Sequence, residues 1–390
     1  MSGASSHSLK SMRIVILPVL DFLAPRTEAI KTLVEENGAQ VFVRYASDTK
    51  SKVKTFVQIP ILCYKVIRFC RSNSVNVVHA THITQLILGP FLKLFGIRFV
   101  YDAMERYAID FSELYVKQKY KKKVRSAIER IENFFVRNYV DGVLCVSSKE
   151  EVLLSRYLKN CNNSQCIFNV PSLDLLRNVR LNSKFSEKKF RIAFVAIIAN
   201  QEVLDRVVSL SLSMLKHNPR IEIHLIGPFE EKLPKEQSNL FKEFVEKNPG
   251  VYGHGRLQYK EMLSLLRHCH VGLNLYSLAS RLKFVGPGSS RKNFVYMASG
   301  MVVISTDIGD IASPIKSLNA GFAILDPSNL ENITSIVTHL NKNRAEALKM
   351  ARNGVLGVKE QYNWENEKYK VLDAYVKVKK ATKRNRPKKI

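Results

Sequence analysis

Apolar residues along this chain fall in short β-branched runs, separated by longer segments in which they recur at helical spacing. That alternation predicts strands and helices in turn. Met12–Val19 is expected as a buried strand broken at Pro18, Thr27–Asn37 as a helix stopped at Gly38, and Ala39–Tyr45 as the next strand. Phe56–Cys70 has a helical pattern in which Ile61, Val66 and Ile67 bury while Lys65 and Arg68 stay at the surface. A strand Val75–His79 then delivers HATH (His79–His82), followed by a helix Gln85–Phe95 and a strand Arg98–Tyr101 ending in DAMER (Asp102–Arg106). A long helical stretch, Tyr115–Tyr139, and a strand Gly142–Val146 complete this half.

The rhythm fails between Asn160 and Lys189, which places a domain boundary there. It resumes with strand Arg191–Ala196, helix Val203–Leu215, strand Ile221–Gly227, a helix near Gln237–Lys247 and the run Val251–Gly255. Helix Tyr259–His268, strand Val271–Tyr276, strand Gly321–Leu325 and helices to about Lys379 complete it. Strands and helices that alternate in this way make parallel sheets covered on both faces. The expected fold is α/β, with two Rossmann-like doubly wound domains in tandem and a cleft between them. The divisions are a flexible leader 1–11, a domain 12–172, a linker 173–190, a domain 191–362, a helix 363–379 packing back on the first domain, and a basic tail 380–390.

One stretch concentrates the chemistry. Ser289–Asp310 (SSRKNFVYMASGMVVISTDIGD) has a loop, a helix, a glycine stop at Gly300 and a buried strand from Val302. Helix N-termini at the carboxyl ends of parallel strands offer unpaired N–H groups and partial positive charge to phosphates. Arg291 and Lys292 stand where this helix begins, and Ser305 to Gly309 could wall the same crevice. A βα unit with a merely basic helix end has the same pattern.

Composition adds a partner of opposite charge. The 390 residues carry 61 Lys and Arg against 34 Asp and Glu, a net charge of +27 that exceeds any need of solubility. An anionic membrane surface, phosphorylated substrates or nucleic acid would answer it. No known nucleic-acid module and no aromatic interleaving of the basic runs supports the last. The basic run Lys119–Arg125, the apolar and basic segment Phe56–Cys70 and the tail Lys377–Ile390, with eight basic residues and no acid, favour an anionic membrane surface. No stretch approaches the roughly 18–20 apolar residues of a membrane-spanning helix, so the expected contact is peripheral, on the cytoplasmic membrane face. Six scattered cysteines suit a reduced, cytosolic chain rather than a zinc ribbon or disulfide framework. His268, Cys269 and His270 fall where a helix passes into a strand, so alternate residues point apart and no metal site is expected.

Six fragments together resemble the retaining GT-B glycosyltransferases of family 4 in the sequence-based classification, over about Met12–Lys379. They are FVRNYVDGVLCVSSKEE (Phe135–Glu151), CIFNVPS (Cys166–Ser172), HLIGP (His224–Pro228), YGHGRLQYKEMLSLLRHCHVGLNLY (Tyr252–Tyr276), KNFVYMASGMVVISTDIGDI (Lys292–Ile311) and YNWENEKYKVLDAY (Tyr362–Tyr375). The resemblance implies transfer of a hexose-type sugar from a nucleotide diphosphate sugar to a glycan or lipid-linked acceptor, with retention and with no metal or other cofactor. It places the donor at Arg291, Lys292, Phe294, Val295, Glu28 and Arg206, and gives catalytic roles to His82, Arg291 and Lys292. Asp102, Glu105, Ser305, Thr306 and Gly309 become cleft or acceptor contacts.

The chain departs from the family at its paired glutamates, replaced by Pro287 and Val295, and at the basic pair after the first strand of the second domain, where VAIIANQ (Val195–Gln201) has no Arg or Lys. The first loop, APRTE (Ala24–Glu28), lacks the usual glycines, and Met104 replaces the histidine of DAHE. These changes keep a second reading open, a catalytically silent homologue acting as a membrane-associated binding or scaffold partner. A protein partner that completes the site is a further expectation.

Overall fold

The computed structural model describes residues 9–18, 23–45, 54–158, 161–197, 201–229, 233–276 and 286–381. The leader up to Ser8, Ile198–Asn200 of the loop after the second domain's first strand, and the basic tail beyond Ala381 lie outside the described residues. The chain forms two compact units, one of residues up to Asn169 and from Glu367 on, the other of Val170–Asn366.

The first unit contains β1 (Arg13–Leu17), α1 (Pro25–Glu36), β2 (Gln40–Val43), α2 (Lys54–Ser72), β3 (Val77–Ala80), a 3-10 helix Ile83–Leu88 and α3 (Gly89–Leu94). It continues with β4 (Arg98–Ala103), α4 (Tyr107–Tyr115), α5 (Lys121–Tyr139), β5 (Gly142–Cys145), α6 (Ser148–Ser155) and β6 (Ser164–Cys166). The strands form one parallel sheet in the order β2-β1-β3-β4-β5-β6. Its central strands β3, β4 and β5 bury nearly every side chain, including Phe99 and Tyr101, as a sheet covered on both faces requires.

Several expectations are corrected here. Leu9 is buried and its N–H donates to Asn37 O at 2.9 Å, so the chain is anchored before residue 12. Ile61 is 53% exposed rather than buried, beside Tyr64 at 64%. The expected helix Tyr115–Tyr139 is two helices, broken at Val116–Tyr120. The irregular stretch after Asn160 holds the edge strand β6, whose sequence SQC has no apolar run to announce it.

The second unit contains α7 (Leu181–Phe185), β7 (Phe190–Val195), α8 (Gln201–His217), β8 (Ile221–Ile226), α9 (Lys235–Lys247), β9 (Val251–Gly253), α10 (Tyr259–Leu266) and β10 (Val271–Asn274). It ends with α11 (Arg291–Ala298), β11 (Val302–Thr306), α12 (Ser313–Leu318), β12 (Gly321–Ile324), α13 (Leu330–Lys342) and α14 (Arg344–Glu360). Its parallel sheet runs β12-β11-β10-β7-β8-β9. The expected linker 173–190 is part of this unit. Lys184 is buried and its ammonium donates to the carbonyls of Cys269, Ser299 and Gly300 at 2.9, 3.0 and 2.6 Å, satisfying the free carbonyl end of α11. The last helix, α15 (Trp364–Ala381), lies in the first unit from Glu367 on. There Tyr375 OH meets His79 Nδ1 at 2.7 Å, and Asp373 accepts from Gln165 at 3.1 Å.

At the end of β8, Gly227 has φ +148°, and a Cβ there would lie 1.7 Å from Ala196 O. No side chain fits where the two chain segments approach so closely. Gly227→Ala is expected to destabilise the second unit by about 3 kcal/mol, read as a fall in urea midpoint. A midpoint unchanged from the parent would show that the approach relaxes at no cost.

Candidate functional site

In the second unit the carboxyl ends of β7, β10 and β11 converge under the first turn of α11. Tyr296 seats the helix: its ring lies over Gly272 of β10, and its hydroxyl accepts from Val195 N at 3.0 Å and donates to Leu273 O at 3.3 Å. A buried polar cluster holds the turn. Asn274 Nδ2 donates to Ser290 Oγ at 2.8 Å and to Asn293 Oδ1 at 2.6 Å, while Asn293 Nδ2 donates to Ile311 O at 3.0 Å. The network ties the end of β10 to the first turn of α11 and to Ile311, and leaves only the buried Asn274 Oδ1 of these amides without a hydrogen-bond partner among the described residues. No side chain caps α11, so its first N–H groups carry the positive end of the helix dipole.

Two cations frame this helix end. Lys292 Nζ lies 3.3 Å from Val195 O, at the carboxyl end of β7, and 4.9 Å from the Tyr276 ring centroid. It therefore brings a positive charge to the end of the strand after which the sequence has none. Arg291 donates to Tyr259 OH at 3.1 Å, and its buried Nε has no hydrogen-bond partner among the described residues. A 3.3 Å bond to a neutral carbonyl is weak, so the Lys292 ammonium can turn to a stronger acceptor. Two cations and a helix N-terminus suit a dianion such as a diphosphate.

Other expected donor contacts are placed elsewhere. Phe294 is fully buried, its ring 5.1 Å from that of Tyr362, and Val295 is 4% exposed; both are packing residues of α11. The position of the second missing glutamate thus faces the core. Pro287 opens a 3-10 turn, Pro287–Ser289. Arg206 pairs with Glu202 one turn back at 2.6 Å. Ser305 and Thr306 are fully buried, Thr306 Oγ1 accepting from Tyr276 N at 2.9 Å, so they join β11 to the end of β10 and offer nothing to an acceptor. Gly309 is exposed in the following turn at φ +59°.

In the first unit, Asp102 is fully buried, and its two oxygens accept from Arg26 Nη2 and Nε at 3.0 and 3.1 Å. Burial alone would raise its pKa, but Arg26 and His79 outweigh it and hold the carboxyl well below its usual range. His79 Nε2 is 3.7 Å away. Asp102 is thus a structural anion, not a cleft acid or base. Glu28 is exposed in the first turn of α1, and Glu105 is exposed in the turn after β4.

His82 stands after β3 and caps the 3-10 helix, its Nδ1 accepting from Thr84 N at 3.2 Å, with its ring 4.3 Å from that of Tyr107. Burial pushes its pKa down to about 4, so it is neutral at pH 7. His270 is fixed by Arg191 N and Lys184 O, and among the described residues no group of three or more His, Cys, Asp or Glu could hold a metal ion. Arg26, Lys184, Asn274 and Asn293 carry no local mark in the sequence, because each finds its partners through tertiary contact.

Residues 206–373 match the family described as glycosyl transferase-like. No curated protein matches the chain in sequence. Among solved structures, HepE of Anabaena in complex with UDP-glucose is similar at TM-score 0.61 and 12% identity, over 96% of this chain and 100% of that one. Sucrose-phosphate synthase of Thermosynechococcus elongatus gives 0.70 and 14%, over 95% and 100%. WaaG, a glycosyltransferase involved in lipopolysaccharide biosynthesis, gives 0.65 and 12%, over 92% and 98%. At such identities the likeness establishes the fold.

Proposed function

From a chain with the GT-B fold, whose residues 206–373 are glycosyl transferase-like, we propose a glycosyltransferase that moves a hexose-type sugar from a nucleotide diphosphate sugar to a glycan or lipid-linked acceptor with retention. The observation that carries this reading is Lys292, whose ammonium reaches the carboxyl end of β7 beside the uncapped N-terminus of α11. Positive charge at that point stabilises a departing diphosphate, which is where negative charge grows as the glycosidic bond breaks. In this proposal the leaving diphosphate takes the acceptor proton. UDP is the first donor nucleotide to test, since HepE has been solved with UDP-glucose.

In this proposal the acceptor lies at the cytoplasmic face of a membrane. Among the described residues no helix is long and apolar enough to cross one. Yet α3 exposes Phe91 and Leu94, the latter at 76%, Phe95 is exposed at its C-terminal cap, and the neighbouring helix α2 exposes Ile61 and Tyr64. Lys65, Arg68, Arg71 and Lys93 lie on the same two helices, Arg71 over the Phe95 ring at 5.3 Å. Apolar side chains rimmed by cations suit an anionic lipid surface.

The silent-homologue reading draws on Pro287 and on the buried Val295. Transfer of labelled sugar from UDP-sugars to membrane lipid extract separates the two readings. Turnover lost in Lys292→Ala supports the enzyme, whereas vesicle binding without transfer from any nucleotide sugar supports the silent partner. Leu94→Glu with Phe95→Glu is expected to lower binding to anionic vesicles at least tenfold while the melting temperature holds. Equal binding by this variant would remove α3 from the contact.

A further inference from the structure

Away from the donor residues, α4, α5 and α6 of the first unit enclose a cavity of about 220 Å³. Arg106, Arg125 and Glu129 stand at its rim, partly exposed, and Glu129 pairs with both arginines, at 3.6 and 3.0 Å. Deeper in lie Glu132 and Glu150, with Leu154 and Tyr157 as an apolar wall. Glu132 accepts from Tyr101 OH at 2.8 Å. Glu150 is only 5% exposed and lines the cavity, and the groups that act on its carboxyl, Glu132, Arg106, Asp102 and Arg26, do so through charge rather than through a hydrogen bond.

We propose that this cavity binds a small organic cation, an amine or guanidinium on a short apolar chain, through Glu150 and Glu132. A buried carboxyl without a partner is costly unless a ligand supplies one. Both rim arginines pair with Glu129, which leaves the Glu150 and Glu132 carboxyls as the acceptors for an entering cation, Glu150 giving up its proton as the pair forms. The Leu154 and Tyr157 wall suits an alkyl chain, and the Tyr157 ring can face a cation. A metal ion is the poorer occupant, because among the described residues no group of three or more acidic or other ligating side chains is close enough to hold one.

Binding has a proton balance. In the empty cavity burial, then the neighbouring Glu132, push the Glu150 pKa up to about 8, with Asp102 raising it further and Arg106 and Arg26 opposing. The carboxyl is therefore neutral at pH 7. A cation that pairs with it forms a carboxylate–ammonium contact and sends one proton to the buffer. Affinity should then rise about tenfold per pH unit up to about 8 and level off above.

The test is calorimetric titration of the intact chain with 1,4-diaminobutane between pH 6 and 9, in buffers of different protonation enthalpy. The expected result is one saturable site, release of about one proton at pH 6–7, and at least tenfold weaker binding in Glu150→Gln. That amide keeps the shape of the neutral acid, so the variant should melt like the parent. The pH dependence and proton release of the parent stand without it. No saturable heat at any pH, unchanged affinity in Glu150→Gln, or the same heat from magnesium chloride would overturn the proposal.

Discussion

Replacing Arg26 by alanine is expected to destabilise the first unit by about 3–5 kcal/mol, the cost of leaving a buried charge unpaired. Asp102 is fully enclosed and Arg26 supplies both of its hydrogen bonds, while a further Arg26 nitrogen donates to Ile167 O at 2.6 Å. The substitution thus strands a carboxylate and a carbonyl together. Adding Asp102→Asn should return part of the loss, since the charge and not the contact area dominates. The sign of the pH effect follows from the depressed pKa of Asp102. The stabilisation is fully present above about pH 4, the unfolded value, and is lost as pH falls toward the lower folded value. Urea titrations of the single and double variants measure it. An Arg26→Ala protein within about 1 kcal/mol of the parent would show that the pair contributes nothing net.

The second large effect is on turnover. Arg291→Ala with Lys292→Ala is expected to lower kcat/KM for the nucleotide sugar about 100- to 1000-fold, the usual cost of removing charge stabilisation from a leaving group. Lys292→Ala alone should account for most of it, because its ammonium reaches the strand end while Arg291 is held by Tyr259. Stability should barely move, since neither side chain belongs to the buried polar cluster around Asn274. A variant as active as the parent would place the diphosphate elsewhere.

The residues that were legible in the sequence are those whose role is periodic. Runs such as Ile221–Ile226 and Val302–Thr306 are buried strands because each is apolar or β-branched throughout, and the glycine stop at Gly300 follows α11 as the pattern requires. The strand β6 was not legible, because an edge strand needs backbone pairing more than apolar side chains. Ile61 points to solvent because the apolar positions of α2 exceed what one buried stripe can hold.

Arg291 and Lys292 were legible as the basic start of a helix, but the reach of Lys292 to Val195 was not, since it spans two strands that are distant in sequence. Within DAMER the carboxylate of Asp102 is structural, and the sequence does not mark it as such. A loop carboxylate looks like a site residue until its partner is known, and the partner of Asp102 is Arg26, 76 residues away. Phe294 and Val295 came from the resemblance and Ser305 and Thr306 from their place at the carboxyl end of a strand, and the core claims all four side chains.

The most direct test of the donor site is titration of UDP and UDP-glucose, with GDP, ADP, dTDP and CMP alongside, against the intact chain, read by calorimetry and thermal melting. One nucleotide should bind, raising stability by about 2.7 kcal/mol at 100 times its dissociation constant, and the gain should vanish in the Arg291→Ala, Lys292→Ala protein. No stabilisation by any of these nucleotides, in a chain that melts cooperatively, would contradict a nucleotide sugar site at the head of α11.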